Sequence, residues 1–363
     1  MKQKKIIIFN PSLETGGVEK NLYLILKFLN KSVQNINIIT CDKEKLLNKG
    51  FSRKIIISPN NFKHNRRIIK YFACLYLLIK EIIVNNGNIQ VLSFQANLYA
   101  ILVCKFFNIK IVVRSNSSSY GWATNYVKIF IFQKILKMAS KVIVNSKDLQ
   151  KEFLRKFKIN TVLIYNPLNI NEIIKLSKQK NKDIFFYNNK SLNIITIGRF
   201  VEQKNHMLLL KALNNLKKKI NFKLLLIGQG KYLKIYKNYI SKNKITRMVK
   251  IIKFQKNPYP FYKNSDLLIL TSKYEGFPNV ILEALALNKF VISSDCPTGP
   301  KELLNNKNFG YLFKNNNLND LIIKICNYAE NKDKINISKF EVKKSLDKFD
   351  YKKNMKKYLQ LLN

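Results

Sequence analysis

Short runs of apolar residues recur along the chain, and longer stretches with helical spacing separate them. Runs such as Ile6–Phe9 and Ile36–Thr40 are typical of strands buried on both faces of a parallel sheet. Stretches such as Glu19–Leu29 and Tyr126–Ala139 carry helical periodicity, which predicts crossover helices between the strands. The strands predicted in this half of the chain are Ile6–Phe9, Ile36–Thr40, Gln90–Ser93, Ile109–Val113, Lys141–Asn145 and Thr161–Ile164.

The same alternation begins again after a polar, lysine-rich stretch that ends at Lys190. This second half has predicted strands at Leu192–Gly198, Phe222–Ile227, Val249–Phe254, Leu267–Thr271 and Phe290–Ser293. The repeated pattern predicts an α/β protein with two doubly wound domains. We place the first domain at residues 1–168, the second at 169–346, and a final helix at 347–363, where apolar residues recur at helical spacing between lysines.

Composition adds a strong positive charge to this picture. The 363 residues are 47% hydrophobic, which predicts a globular protein, and Lys plus Arg number 66 against 21 Asp plus Glu, giving a net charge of +45. Such a charge favours anionic partners: nucleotide diphosphates, acidic lipids or nucleic acid. Because Lys, Asn and Ile are enriched together throughout, a biased coding composition explains the charge equally well. Charge alone therefore does not identify a partner.

Cysteine and histidine give no sign of a metal site. The widely spaced cysteines, with no Cys-x-x-Cys, are typical of reduced core residues in a cytosolic protein. His64 and His206 are far apart, and no Asp-x-Asp is present to hold a nucleotide-bound divalent ion. The apolar part of Met1–Phe9 is too short for a signal peptide, and Tyr71–Ile79 is too short to span a bilayer. We therefore expect no metal and no transmembrane segment.

Glu275 and Glu283, with seven residues between them, are the most informative feature of the sequence. A buried strand precedes them and another follows, so they lie in a crossover at the end of a strand, where such sheets bind ligands. Pro278 suits the first turn of the intervening helix, which predicts a mobile Glu275 in the loop and a fixed Glu283 in the helix. A fixed carboxylate accepts hydrogen bonds from a ribose diol, and the loop faces a second polyhydroxylated group. The pair predicts a nucleotide-sugar site.

This segment resembles the Glu-x7-Glu signature of retaining glycosyltransferases of the GT-B fold, glycosyltransferase family 4 or group 1. That family includes transferases for lipopolysaccharide, capsule and lipid-linked oligosaccharide. Gly276–Asn279, Asn264–Asp266 and Asp295–Glu302 lie where the family has similar residues. The resemblance implies two Rossmann-like domains facing a cleft, with the acceptor bound by the first domain, the donor by the second, and the final helix crossing back to the first. For the two glutamates alone, an amphipathic helix with solvated carboxylates is the alternative.

Gly198, Arg199 and Lys204 follow the strand that opens the second domain and predict an anion site. The fork of Arg199 and the point charge of Lys204 suit a diphosphate leaving group without a metal; solvated bases are the alternative. The resemblance implies catalytic roles for Arg199, Lys204 and Glu275. The implied donor-binding residues are Gly17, Gly198, Arg199, Lys204, Phe254, Glu275, Gly276, Phe277, Pro278, Asn279, Glu283 and Gly299. We interpret Gly228-Gln229-Gly230 as a structural turn bordering this pocket.

In the first domain, the loop Ser12–Lys20 and the end of the strand Ile109–Val113 are the candidates for binding. Two glycines in the loop allow a tight turn with N–H groups facing a ligand, although a turn without that function explains them as well. Many relatives have a histidine on this side, whereas this chain has none between His64 and His206. We therefore expect Arg114 or Asn116 to take its place. The implied acceptor-binding residues are Gly16, Gly17, Arg114 and Asn116.

The resemblance implies retaining, metal-independent transfer of a hexose or N-acetylhexosamine from a nucleotide sugar, UDP-linked in our interpretation. The acceptor would be a lipid-linked or surface-polysaccharide glycan, with no cofactor beyond the donor. Phe62–Val84 and Tyr126–Met138 resemble basic, aromatic interfacial helices, although core helices with lysines on their solvent-exposed face explain them as well. We favour a cytoplasmic enzyme, peripheral on the anionic cytoplasmic face of the inner membrane. A nonspecific nucleic-acid binder and a catalytically inactive GT-B scaffold are the alternatives.

Overall fold

The computed structural model of the protein describes residues 4–13, 16–60, 62, 66–119, 122–123, 125–180, 185, 191–304 and 308–362. Its contacts divide the chain into two domains. The first contains Met1–Pro167 together with Lys352–Asn363, and the second contains Leu168–Tyr351. Each domain has a parallel sheet with helical crossovers, which confirms the predicted pair of doubly wound α/β domains.

The first domain is built on a sheet with the strand order β3-β2-β1-β4-β5-β6-β7. Its strands are β1 (Lys5–Phe9), β2 (Ile36–Ile39), β3 (Ile56–Ile57), β4 (Ile89–Ser93), β5 (Lys110–Arg114), β6 (Lys141–Val144) and β7 (Val162–Leu163). Its helices are α1 (Gly17–Ser32), α2 (Lys43–Leu47), α3 (Arg67–Val84), α4 (Asn97–Phe106), α5 (Tyr126–Leu136) and α6 (Lys147–Phe157). Because β1 pairs with β2 on one side and β4 on the other, the strand order reverses between β1 and β4.

The second domain has a sheet with the strand order β10-β9-β8-β11-β12-β13. Its strands are β8 (Leu192–Ile197), β9 (Phe222–Ile227), β10 (Val249–Ile252), β11 (Leu267–Leu270), β12 (Phe290–Ser294) and β13 (Gly310–Phe313). Its helices are α7 (Ile170–Ser177), α8 (His206–Leu216), α9 (Leu233–Lys242), α10 (Tyr259–Lys263), α11 (Asn279–Ala286), α12 (Pro300–Leu303), α13 (Leu318–Asn331) and α14 (Lys339–Leu346).

Burial explains why the strands form where the apolar runs occur. Ile7, Ile8 and Phe9 of β1 and Leu268 and Ile269 of β11 have no exposed surface, so both faces of each central strand contribute to a core. Each such side chain contributes about 1.5 to 3 kcal/mol of burial free energy. The sequence did not predict β3 or β13. Part of the predicted linker up to Lys190 falls outside the described residues.

The last helix, α15 (Tyr351–Leu362), packs in the first domain. It begins later than the predicted Asp347, because Asp347–Phe349 form a separate 3-10 turn. Its buried face carries Met355 and Tyr358, and the Gln90 amide donates a hydrogen bond of 3.4 Å to the Leu361 carbonyl. Among the helices of the described ranges, none has the length and apolar character needed to cross a bilayer.

Candidate functional site

The carboxyl ends of β8 and β11 lie side by side in the second sheet and form the base of the candidate site. β8 pairs with β9 on its other side, so the strand order reverses between β8 and β11. A parallel sheet leaves a crevice for ligands at such a reversal, outside the carboxyl ends of the strands. Gly198–Lys204 follow β8, and Ser272–Asn279 follow β11. The two segments that the sequence singled out therefore meet at one place.

Glu275 is held firmly at this edge. Its side chain is buried, and its Oε1 atom accepts hydrogen bonds from Lys204 Nζ at 2.5 Å and Ser272 Oγ at 2.5 Å. Its N–H donates to the Pro297 carbonyl at 3.2 Å, and its own carbonyl accepts a hydrogen bond from the Thr298 hydroxyl. The expectation of a mobile carboxylate is therefore wrong. Side-chain and backbone contacts both fix Glu275 in place.

The loop before α12 packs tightly against the loop of Glu275. Gly299 has a φ of 99°, in the region that favours glycine, and a Cβ there would lie 2.6 Å from Pro278 Cδ. Thr298 has a φ of 64°. Only glycine allows this approach, so Gly299 contributes to the site through the position of its backbone.

Glu283 lies in the second turn of α11 and is also buried. Pro278 directly precedes this helix rather than lying in its first turn. Tyr262 Oη, on α10, donates to Glu283 Oε2 at 3.2 Å and lies 3.3 Å from the Val280 carbonyl oxygen. Burial, and secondarily the charge of Glu283, raise the pKa of Tyr262 well above its usual value. Tyr262 therefore stays a hydrogen-bond donor that orients Glu283.

The two bases predicted for the diphosphate differ in their surroundings. Arg199 is exposed just beyond β8, whereas the Lys204 side chain is 15% exposed and ion-paired with Glu275. Gly198 lies beside them, with Lys204 and the His206 ring 3.5 Å from the position its Cβ would take. The structure thus brings Gly198, Lys204 and Glu275 together, with Arg199 on the adjacent surface.

The remaining donor-binding candidates are divided between the loop and more distant positions. Gly276 is buried and Asn279 is half-buried at the start of α11. Phe277 is buried with its ring centroid 5.4 Å from that of Phe349, which gives it a packing role. Phe254 is 49% exposed beyond β10, which ends at Ile252 and is separated from β8 by β9. Phe254 is the candidate that the structure places away from the reversal of strand order.

The turn Gly228-Gln229-Gly230 supports the segment that follows β8. A Cβ on Gly228 would lie 1.9 Å from the Gly198 carbonyl oxygen, and one on Gly230 would lie 2.4 Å from that of Phe200. Backbone packs directly on backbone here, as expected of a structural turn. His206 packs against Phe200, and burial and then the charge of Lys204 lower the pKa of His206 to about 3. The imidazole is therefore neutral at physiological pH.

In the first domain, hydrogen bonds connect the loops that follow β1, β2 and β4. The Ser12 N–H donates to Gln95 Oε1 at 2.8 Å, and the Leu13 N–H donates to Asp42 Oδ2 at 2.8 Å. Gly16 and Gly17 are exposed at the start of α1, while Glu14 and Thr15 of the predicted loop fall outside the described residues. The structure leaves the two glycines at the carboxyl edge of the sheet.

Arg114 does not occupy the position expected of an acceptor-binding residue. Its side chain is 1% exposed, and it donates from Nε to Asn116 Oδ1 at 2.8 Å and from Nη2 to Asn166 Oδ1 at 2.6 Å. Its guanidinium carbon lies 5.7 Å from the centre of the Tyr358 ring. Burial lowers the pKa of Arg114 to about 9. Arg114 and its partner Asn116 instead connect β5, the segment after β7 and α15.

Several residues of the site were missed by the sequence analysis. Ser272, Tyr262 and Thr298 hold the two glutamates, but hydroxyl residues carry no spacing signal of their own. Over the described ranges, no group of three or more His, Cys, Asp and Glu side chains is arranged to hold a metal ion. His64 lies outside these ranges.

Comparisons with known proteins cover both halves of the chain. Residues 15–172 match the family model described as glycosyltransferase family 4, and residues 177–342 match that of glycosyl transferases group 1. An uncharacterized glycosyltransferase of Methanocaldococcus jannaschii is 29% identical over 72% of this chain and 67% of its own length. A Campylobacter jejuni enzyme, N-acetylgalactosamine-N,N'-diacetylbacillosaminyl-diphospho-undecaprenol 4-alpha-N-acetylgalactosaminyltransferase, is 24% identical over 88% of both chains.

Solved structures share the fold over essentially the whole chain. A glycosyltransferase from Rickettsia africae superposes with a TM-score of 0.79 at 20% identity, covering 100% of this chain and 98% of that one. Anabaena HepE in complex with UDP-glucose superposes with a TM-score of 0.78 at 19% identity, covering 99% of both chains. At these identities the likeness establishes the two-domain fold.

Proposed function

The chain belongs to the GT-B glycosyltransferases of family 4 and group 1, and from that premise we propose that it is a retaining, metal-independent hexosyltransferase. Its donor is a UDP-linked hexose or N-acetylhexosamine. Its acceptor is a lipid-linked or surface-polysaccharide glycan. The C. jejuni relative named for a diphospho-undecaprenol substrate supports the acceptor class, and the UDP-glucose complex of HepE supports the donor class.

The observation that carries this proposal is the pairing of Lys204 with Glu275 at the reversal of strand order, with Glu283 behind them on α11. A partly exposed cation next to a buried carboxylate gives one group for a diphosphate and one for a sugar hydroxyl. Arg199 adds a second cation at the exposed rim. Glu283, oriented by Tyr262, suits a ribose diol.

In the proposed reaction the bond between the anomeric carbon and the diphosphate breaks through an oxocarbenium-like state. Lys204 and Arg199 neutralise the departing diphosphate. Their contacts strengthen as negative charge develops on it, so they stabilise the transition state more than the bound donor. A diphosphate oxygen then takes the proton of the acceptor hydroxyl, and that hydroxyl bonds to the anomeric carbon on the face the diphosphate left. The anomeric configuration is therefore retained.

A screen of UDP- and GDP-sugars for hydrolysis or transfer, with Arg199→Ala as the matched variant, tests this assignment. Loss of the charge-assisted contact, worth ~1.5 to 3 kcal/mol, should lower kcat about 10- to 150-fold. Because Arg199 is exposed, the substitution should change the stability of the protein little. Nuclear magnetic resonance of the early product gives its anomeric configuration. A wild-type rate in the variant, or an inverted product, would overturn the proposal.

We further propose that the enzyme works at an anionic membrane surface through the faces of α3, α4 and α5. These successive helices expose large apolar side chains: Phe72 and Tyr76 on α3, Tyr99 and Phe106 on α4, and Tyr126 and Phe130 on α5. Phe106 is 83% exposed and Tyr126 is 91% exposed. The centroids of the Phe72 and Tyr99 rings are 6.4 Å apart, which connects α3 to α4. An exposed apolar surface of this kind is typical of an interaction site.

Charge complementarity favours an anionic leaflet as the occupant of this surface. Exposed basic residues lie on the same helices: Arg66 and Arg67 at the start of α3, Lys80 on α3, Lys105 on α4, and Lys128 and Lys134 on α5. Each contributes about 1 kcal/mol of attraction to anionic lipid. Only one face of α3 is available to a membrane, because Cys74, Leu75, Leu78 and Ile82 lie in the core of the first domain. Lys63 lies outside the described residues.

Vesicle co-sedimentation with anionic and neutral lipids tests the membrane assignment. Replacing Arg67, Lys105 and Lys128 by Gln should weaken binding to anionic vesicles more than tenfold, while donor hydrolysis stays unchanged. The matched control removes three exposed charges from the second domain, at Lys218, Lys219 and Lys237. Equal losses of vesicle binding in both triple variants would show that only the total charge matters, and would contradict the assignment of this surface to the membrane.

A further inference from the structure

Two cysteine thiols lie in contact in the first domain, whereas the candidate donor site is built on the second. Cys41 follows β2, and Cys74 lies in the middle of α3. Their Sγ atoms are 3.4 Å apart, although 33 positions separate them in the sequence, and both are free thiols. A disulfide requires about 2.05 Å between the sulfurs, so a shift of roughly 1.4 Å would join them.

The two thiols differ in accessibility and in charge environment. Cys41 is half-buried, whereas Cys74 has no exposed surface. The hydrogen bond with Cys74, together with the charge of Lys70, lowers the pKa of Cys41 against the opposing effects of burial and Asp42. Lys70 Nζ is held 2.8 Å from Asp42 Oδ1, and Cys41 Sγ lies 3.6 Å from the Lys70 carbonyl oxygen, so the residue that contacts the Cys41 thiol also carries a fixed cation. These are the surroundings of a reactive cysteine with a second cysteine behind it.

We infer that Cys41 and Cys74 form an oxidisable dithiol site whose co-reactant is a peroxide. The Cys41 thiolate attacks one peroxide oxygen, the O–O bond breaks, and Cys41 becomes a sulfenic acid while the other oxygen leaves as water after taking a proton. Cys74 Sγ then attacks Cys41 Sγ, and the hydroxyl of the sulfenic acid leaves as a second water with the Cys74 proton. Two thiols are oxidised to one disulfide, and hydrogen peroxide is reduced to two waters.

The disulfide would join α3 to the segment after β2. That segment is already connected to the β1 loop, because Asp42 accepts the Leu13 N–H and the Cys41 N–H donates to the Pro11 carbonyl at 3.0 Å. Closing a loop of this length restrains the unfolded chain, so we expect the oxidised protein to melt about 5 to 10 °C higher.

Peptide mass spectrometry after hydrogen peroxide treatment tests the inference on the whole chain. The reduced protein is exposed to increasing peroxide, remaining thiols are blocked with an alkylating agent, and dimedone traps sulfenic acids. In the wild type we expect one linked peptide containing Cys41 and Cys74, lighter by two hydrogen atoms. In Cys74→Ser we expect a dimedone adduct on Cys41, and in Cys41→Ser we expect Cys74 to be oxidised at least about tenfold more slowly because it is buried.

Cys326 provides the matched comparison, because it is also half-buried but no cysteine contact is observed for it in the described chain. Cys326→Ser should form the linked peptide as the wild type does. A Cys41 that reacts no faster than Cys326, or a dimedone adduct on Cys41 that persists when Cys74 is present, would overturn the inference. The wild-type protein alone decides both outcomes, so a variant that fails to fold does not affect the conclusion.

Discussion

Replacing Lys204 should destabilise the second domain as well as stop turnover. Its Nζ lies 2.5 Å from Glu275 Oε1, and the two side chains are only 15% and 7% exposed. Removing one member of a buried ion pair leaves the other charge without its partner, at a typical cost of 3 to 5 kcal/mol. Because Ser272 Oγ still donates to Glu275, we expect the lower end for Lys204→Met, about 3 kcal/mol.

A double-mutant cycle separates the ion pair from other effects of the substitutions. In Glu275→Gln the charge of Lys204 is left unpaired but partly exposed, so we expect a smaller loss of about 1.5 kcal/mol. The double variant should lose less than the sum of the two, with a coupling energy of about 1.5 to 3 kcal/mol. Urea unfolding followed by far-ultraviolet circular dichroism measures all three variants.

The pair of Lys273 with Glu202 is the matched control in the same domain. Its N–O distance is 2.8 Å, but its side chains are 38% and 68% exposed. Water screens such a pair, so Lys273→Met should leave the urea midpoint close to that of the wild type. If Lys204→Met shifts the midpoint no more than Lys273→Met does, the buried pair does not stabilise the fold, and the reasoning from burial is refuted.

Further predictions concern the titration of His206, the packing of Gly228 and the metal dependence of transfer. Burial holds the pKa of His206 at about 3 in the folded state against about 6.5 in the unfolded chain, so its contribution to stability is complete above pH 6.5 and is lost as pH falls towards 3. Between pH 6.5 and 5 this amounts to about 2 kcal/mol, which His206→Gln should abolish in urea titrations; an unchanged pH dependence contradicts the assignment. Gly228→Ala should cost about 3 kcal/mol or more by urea unfolding, because its Cβ would lie 1.9 Å from the Gly198 carbonyl oxygen, whereas Gly198→Ala, whose Cβ would meet no atom closer than 3.5 Å, should cost far less; equal effects refute this. Transfer should persist in excess EDTA, and a strict Mg²⁺ requirement restored on adding it back would show that a metal takes part.

The central strands could be predicted from sequence because they are buried on both faces and read as nearly continuous apolar runs. β3 was missed because it is only Ile56–Ile57, too short to show a period. β13 was missed because it starts at Gly310 and is only partly buried, so its hydrophobic signal is weak. The start of α15 differs by several residues from the prediction, since helical periodicity runs through the 3-10 turn that precedes it.

The sequence indicates which strand ends border the candidate site, but not which side chains meet there. Glycines and carboxylates after strand ends mark a crevice, but 71 positions separate Lys204 from Glu275, and nothing local indicates that they pair. Arg114 was misjudged for a related reason. A charged residue at a strand end is usually exposed, and only the tertiary positions of Asn166 and Tyr358 account for its burial.

The ion pair of Lys204 and Glu275 is compatible with donor binding under the proposed function. A lysine ammonium has three N–H donors, and within the described chain Lys204 uses one of them, on Glu275 Oε1. Both observed donors to the carboxylate reach the same oxygen, so across these residues no hydrogen bond to Oε2 is observed. Lys204 can therefore bind a diphosphate oxygen while it holds Glu275, and Oε2 can accept a sugar hydroxyl. If the ion pair had to break for the donor to bind, Glu275→Gln would release Lys204 and tighten the binding of free UDP. Titration calorimetry of this variant with UDP distinguishes the two cases. Unchanged or weaker UDP binding supports simultaneous contacts of Lys204 with Glu275 and the diphosphate.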